Sequence, residues 1–406
     1  MPTLRTQVSR PVLQPALRRW RSALFWMFML QGIAFASWVT RTPSIRDSLA
    51  ASTAQMGLVI FGLSVGSMAG VLVSPHAVAR FGGRPSVQAG CLAMVAGLFV
   101  VGLGSTVSLA VLVAAGLGLY GFGMGLTEIA LNVEGATVEQ RAERSVLPVL
   151  HGCFSAGTFL GALIGIALNA ARTPVIAHLW VVAALFAAVA AWVIRWIPAG
   201  TGREMPGPGA GPRIGPAERL RIWREPRVRL LGLIVLGMAF AEGSANDWLP
   251  LITVDGYGLD AVDGSLVFAF FAASMAVGRI AGGFLLDRFG RVPVMRASAA
   301  IAAVGILLVV FGPSVAVGGV GVVLWGLGAS LGFPVCISAA GDEPRGAAAR
   351  VSAVATTGYV AFLVGPPLLG LLGEDYGLRR AMLVVLVLVV LAGGVASAVR
   401  RVQPTP

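Results

Sequence analysis

Apolar runs of about twenty residues recur along this chain at short intervals, and very few folds can accommodate such a pattern. A helix needs about 20 mostly apolar residues to cross a hydrocarbon layer of about 30 Å. The runs predict spans near 23–41, 55–77, 87–105, 109–131, 149–169, 177–197, 229–250, 264–286, 294–312, 315–340, 351–372 and 379–399. Of 406 residues, 57% are hydrophobic and 12% charged, against roughly 45–50% and 25% in an average soluble protein. The main solvent of this surface is therefore lipid, and the expected fold is an all-α polytopic membrane protein of twelve transmembrane helices.

Charge placement sets the topology. All 30 basic residues are arginine. Arg5, Arg10, Arg18, Arg19 and Arg21 precede the first span, and eight more, from Arg195 to Arg229, lie between spans 6 and 7. The remaining even-to-odd loops and the C-terminal tail are basic too, whereas the opposite side holds only Arg41, Arg46, Arg172, Arg379 and Arg380. This is the positive-inside pattern, and it predicts that both termini are cytoplasmic. The net charge of +12 thus reports topology, and no nucleic-acid partner is expected. The N-terminal apolar stretch is too long for a leader and has no small-residue cleavage site before its polar end, so it reads as an uncleaved first span. Cys91, Cys153 and Cys336 fall in three different spans without C-x-x-C spacing, which suggests neither disulfides nor a metal site.

Residues 198–217 are rich in Pro and Gly and carry no apolar run, as a flexible linker does. They place a boundary between a first half at 1–197 and a second at 229–406, with 198–228 as the connecting segment. The halves resemble one another. ARFGGR at 79–84 answers DRFGR at 287–291, GIAFAS at 32–37 answers GMAFAE at 237–242, and LYGFG at 119–123 answers LWGLG at 324–328. Three matches in one order at offsets of 208, 205 and 205 residues point to internal duplication. Two parallel six-helix repeats would hold a substrate site between them near the midplane and alternate its access by rocking.

At the turn between spans 8 and 9, Gly283, Asp287, Arg288, Gly290 and Arg291 match G-x-x-x-D-R-x-G-R, and the whole chain resembles the major facilitator superfamily. The resemblance implies that this motif ties helix ends together on the cytoplasmic side. In the first half Arg80, Gly82 and Arg84 remain, but Pro75 and Ala79 stand where Gly and Asp are expected. Asn132-Val-Glu134, Glu139-x-Arg141, His151-x-x-x-Ser155-x-Gly157, Asp247-Trp248 and SAAGDEP at 338–344 are similar to bacterial permeases of the YbjJ type. The resemblance implies a secondary transporter of the bacterial cytoplasmic membrane, acting as a monomer on a small molecule, with spans 1, 4, 7 and 10 lining the cavity and no cargo named.

An ionisable group inside a span costs about 2.5–3.5 kcal/mol on insertion scales and usually faces a bundle interior or a wet cavity. Glu128 shares a helical face with Gly121, Gly125 and Asn132, so it points at a neighbouring helix, either to bind substrate or a proton or to make a structural hydrogen bond. Glu242 and Asn246 share a face in span 7, with Asp247 and Trp248 beyond; binding or coupling competes there with a cap near the outer surface. Arg279 lies eight residues before Asp287, about 12 Å of helix, and needs a carboxylate partner or an anionic substrate. Arg41 either snorkels to the interface or grips substrate, and His151 either packs or carries a proton. Gln31, Trp38, Trp248 and Tyr359 suit a polar small-molecule site, although interfacial belts explain the two Trp equally well. The run Gly116-x-Gly118-x-x-Gly121-x-Gly123-x-Gly125 is close helix packing rather than a nucleotide loop. No Walker sequence, H-E-x-x-H or catalytic triad order occurs, so no enzyme, cofactor or ATP drive is expected. Proton-coupled transport is the leading expectation, an uncoupled facilitator the second, and a non-transporting sensor on this fold the alternative of a different class.

Overall fold

The computed structural model describes residues 15–142, 146–203, 221–342 and 346–401, so the expected linker at 198–217 lies outside the described residues from 204 onward. The first half contains α1 (Pro15–Val39), α2 (Thr42–Leu49), α3 (Thr53–Phe81), α4 (Gly83–Thr106), α5 (Ala110–Ala142), α6 (Leu147–Ala170) and α7 (Val175–Ile194). The second contains α8 (Pro226–Leu251), α9 (Ala261–Phe289), α10 (Arg291–Phe311), α11 (Val315–Ala329), α12 (Gly332–Ala340), α13 (Ala347–Tyr376) and α14 (Leu378–Gly394).

Among the described residues eleven helical segments are long and apolar enough to cross a membrane, with α11 and α12 counting as one. The expected span at 379–399 is shorter than its apolar run: α14 has 17 residues and gives way to a 3-10 turn at Ala396–Val399. It still packs against α8 and α10 and buries Val385, Val389 and Ala392 there. Leu72, Leu92, Val111 and Ile280 point outward with two thirds or more of their surface bare, as side chains solvated by lipid do.

Helix starts follow local chemistry. Ser52 and Gln55 form a reciprocal capping box at α3, the Ser52 hydroxyl accepting from the Gln55 amide and the Gln55 side chain accepting from the Ser52 amide. Asp260 accepts from the amides of Val262 and Asp263 at the start of α9. The glycine run of α5 is helix packing, as expected. A Cβ on Gly66 of α3 would overlap the Gly118 carbonyl, and one on Gly121 would overlap the Leu63 carbonyl. Two long spans are interrupted. Pro250, lacking an N–H, precedes a π turn at Ile252–Gly256, and the tenth span breaks between α11 and α12 at Ser330 and Leu331.

Each half packs mainly on itself, through α3–α5, α4–α5 and α1–α6 in the first and α10–α11, α8–α13 and α8–α14 in the second. The halves meet along two seams, α6–α9 and α3–α13. At the face away from the termini, polar ties cross these seams. Arg46 pairs with Asp255, Asn169 Nδ2 donates to Ser265 Oγ at 2.8 Å, and the Ala54 amide donates to Glu374 at 3.1 Å. At the face carrying the termini, no hydrogen bond or ion pair joins the halves among the described residues.

Candidate functional site

Midway along the α6–α9 seam lies a recess of about 310 Å³, its open mouth included. Phe35, Phe154, Phe271 and Met275 supply apolar walls, and Ser155, Thr158, Glu242, Asn246 and Arg279 supply polar ones. Ser155 and Thr158 stand three residues apart on α6, and Met275 and Arg279 four apart on α9, so each pair shares one face of its helix.

Arg279 organises the polar side. Its Nη2 donates to Glu242 Oε1 at 2.8 Å and its Nη1 donates across the seam to Ser155 Oγ at 3.1 Å. The carboxylate partner expected for Arg279 is thus Glu242, and the alternative of Glu242 as an outer helix cap is corrected: it sits in the recess. Glu128, half-buried on α5, lies within electrostatic reach of both Glu242 and Tyr359. Glu128 itself does not line the recess. His151 is exposed, lies edge-on to Phe28 with ring centroids 5.3 Å apart, and is within reach of Arg279. It does not line the recess.

Other expected residues lie elsewhere. Trp38 and Trp248 are fully buried, and neither lines the recess nor forms an interfacial belt. Gln31 is buried with its Nε2 unpartnered. Asn132 is half-buried one turn beyond Glu128, and its Oδ1 has no partner. Asp247 is buried on the side of α8 turned away from the recess. Snorkelling by Arg41 is corrected as well. It is 2% exposed, held by His178 of α7 and Asn169 of α6, and so does not reach the interface.

At the turn motif, Arg291 forms the tie, donating to Asp342 at 2.8 and 2.9 Å and to Ser338 Oγ at 2.8 Å. Asp287 is exposed and has no ion-pair partner among the described residues, while Arg288 lies over the Phe289 ring and Gly283 is exposed. In the first half Arg80 lies over Phe81.

The sequence model of the Major Facilitator Superfamily matches residues 136–359. The chain belongs to that superfamily. An uncharacterised MFS-type transporter of Yersinia pestis is 27% identical over 405 residues, which is 98% of this chain and 100% of the relative. Among solved structures, a mutant of the nucleoside transporter NupG superposes with a TM-score of 0.76 at 14% identity, covering 94% of this chain and 99% of NupG. The E. coli fucose:proton symporter FucP superposes with a TM-score of 0.65 at 16% identity, covering 94% and 98%. Chains of this superfamily are transporters rather than enzymes, and the lipid bilayer and a small-molecule substrate follow as partners.

The residues that sequence reasoning missed are mostly the apolar lining. Thr158 stands three residues beyond the Ser155 already marked by motif and so shares its face, whereas nothing in the sequence singled out Phe154. Phe35 lies within the duplicated GIAFAS string, which also carried the signal.

Proposed function

We propose that this chain is a secondary active transporter that moves a small polar solute with an apolar face across the bacterial cytoplasmic membrane by alternating access, coupled to protons. The observation that carries the reading is the Arg279–Glu242 pair bridged to Ser155 of the other half in a recess walled by aromatic rings. Protonation of Glu242 would free the Arg279 guanidinium for a polar group of the solute, and Glu128, within electrostatic reach of Glu242, is the second proton acceptor. The fold likeness to a fucose:proton symporter supports coupling of this kind. The outer ties and the untied terminus face support reading the present form as the one open to the side of the termini, which the arginine distribution makes the cytoplasm. The two halves act as rocking bodies, α14 is the twelfth crossing, and one chain contains a whole pathway.

The test begins with thermal unfolding of the detergent-purified protein against sugars, sugar acids, amino acids, nucleosides and organic cations, since a ligand at 100 times its Kd stabilises by about 2.7 kcal/mol. Uptake of the hit into proteoliposomes should rise with an inward proton gradient and lose that dependence in Glu242→Gln or Glu128→Gln. If both variants keep full pH-dependent uptake, this coupling mechanism is wrong. Counterflow without net accumulation would instead establish an uncoupled facilitator, and no hit in any class would favour a sensor.

A further inference from the structure

Arg41 carries a charge that nothing nearby balances. Its Nε donates to His178 Nδ1 at 2.9 Å and its Nη1 donates to Asn169 Oδ1 at 2.5 Å. Both acceptors are neutral, and among the described residues no carboxylate pairs with it. The acids at the same face, Asp47 and Asp255, are engaged with Arg46. Burial alone brings the Arg41 guanidinium down to about 10, which leaves it cationic at neutral pH.

Two N–H donors in this cluster are spare. Arg41 Nη2 and His178 Nε2 both lack partners, although Arg41 is 2% and His178 1% exposed. Because Nδ1 of His178 accepts from Arg41, its proton resides on Nε2, so that atom is a donor. An unpaired buried guanidinium with idle donors is destabilising, and a chain that keeps one has a use for it.

Its position gives that use. Asn169 bonds the Arg41 side chain, the Thr40 carbonyl and, across the seam, Ser265. Along α6, Ser155, Thr158, Gly165 and Asn169 follow one helical face, and this face runs from the recess to Arg41. Arg279 stands at one end of the same seam and Arg41 at the other.

We propose that Arg41 forms an anion site at the outer end of the α6–α9 seam, taking a small monovalent oxyanion through its Nη2 when the outer ties part, with His178 holding the guanidinium in place through Nδ1. The inference rests on the alternating-access reading. The anion is either a carboxylate of the solute or a free inorganic oxyanion. In the present form Asn169 and Ser265 close over the cluster, and separation of the halves uncovers it.

The test uses the full chain in detergent with sodium acetate and sodium nitrate as probes. Wild type should show a saturable rise in unfolding midpoint of about 2 °C, the order expected near tenfold excess over Kd. Arg41→Gln should show none, and His178→Phe a weakened one. A response to acetate alone assigns organic carboxylates, and one to nitrate alone assigns inorganic anions. Arg46→Cys with Asp255→Cys, bridged by a short bismaleimide in a Cys153→Ser background, should lose the response and the unbridged form should keep it. An equal response in Arg41→Gln, an undiminished response in the bridged protein, or no response in wild type overturns the site. Should Arg41→Gln fail to fold, the His178→Phe comparison and the bridge decide. Failure of alternating access would appear separately, as a Ser265→Cys thiol that never reacts with an impermeant reagent from the outer side. If that thiol reacts and no Arg41-dependent response is seen, only the anion site falls.

Discussion

The two turns on the terminus face have the same backbone and different chemistry. Gly82 and Gly290 adopt φ of +91° and +80° with ψ of 169° and 166°, a conformation open to glycine and closed to most side chains. Each donates its amide to the carbonyl four residues back, at 2.8 and 3.0 Å. Each is preceded by an arginine lying over the adjacent phenylalanine ring, at 5.3 and 5.6 Å. After the glycine the halves part. The residue in register with Arg291 is Gly83, not Arg84 as the motif string suggests, because the first-half turn carries one glycine more.

The consequence falls on Glu134, which lies 208 residues before Asp342, the same offset as the turns. Asp342 accepts from Arg291 and from Arg227, whose Nη2 donates at 2.9 Å. Glu134 is fully buried, and neither carboxyl oxygen has a hydrogen bond. A Cβ on Gly83 would overlap its Oε1, and the other polar groups facing it are Trp20, Thr201 and Arg141. Glycine thus shapes the turn and arginine charges it. The first half has the shape without the tie, so among the described residues the arginine–carboxylate brace of the terminus face is found in the second half.

The largest effect should come from removing the shared acid of that brace. Asp342→Asn leaves Arg227 and Arg291 facing each other across a half-buried site, and we expect a loss of about 2 kcal/mol, discounted from fully buried pairs for partial exposure, read as a lowered unfolding midpoint. Burial raises the Asp342 pKa, but its bonds to Arg291 and Arg227 outweigh burial and hold it below the usual carboxylate range. A depressed native pKa gives stability that is present above the unfolded value and is lost as pH falls through the native one. Wild type should therefore lose part of its stability below about pH 4, the ordinary aspartate range, and Asp342→Asn should lose less over that window. Equal acid sensitivity in both proteins would break the assignment of the brace to Asp342.

The fold was legible because the bilayer enforces it: helices must be long, apolar and punctuated by charge, and each of those leaves a mark in one dimension. Ends were less legible. The fourth span was expected to stop at 131, but α5 runs to Ala142, since Glu134, Glu139 and Arg141 read as loop although they sit on a helix emerging from the membrane. Arg279 announced its need for a partner, but not that Glu242 would supply it, because pairing across helices has no period in sequence. Arg41 misled for a related reason. A cation after a span reads as interfacial, and its partners His178 and Asn169 lie more than a hundred residues away in the chain. The shift from Arg84 to Gly83 was hidden because strings align by letters, and only φ and ψ reveal which glycine makes the turn.

A smaller effect should follow from installing the missing tie. Gly83→Arg places a guanidinium stem where the Glu134 carboxyl end now sits, and that end is free to move because it makes no bond. In a double-mutant cycle with Glu134→Gln we expect a favourable coupling of about 1 kcal/mol, measured by unfolding. Arg84→Ala in the same assay should show no coupling to Glu134. Coupling of Glu134 to Arg84 rather than to position 83 would overturn the register drawn here.

The smallest effect is the most pointed. Glu134→Gln breaks no ion pair among the described residues, keeps a polar end of the same shape opposite Trp20 and Thr201, and removes a buried carboxylate that no salt bridge balances, so it should be neutral or slightly stabilising, whereas its counterpart Asp342→Asn is destabilising. Two acids at equivalent places in a duplicated fold would then differ because one arginine became glycine. If Glu134→Gln instead destabilises as strongly as Asp342→Asn, Glu134 has a partner in the folded protein, the first half is braced after all, and the asymmetry between the turns is one of sequence only.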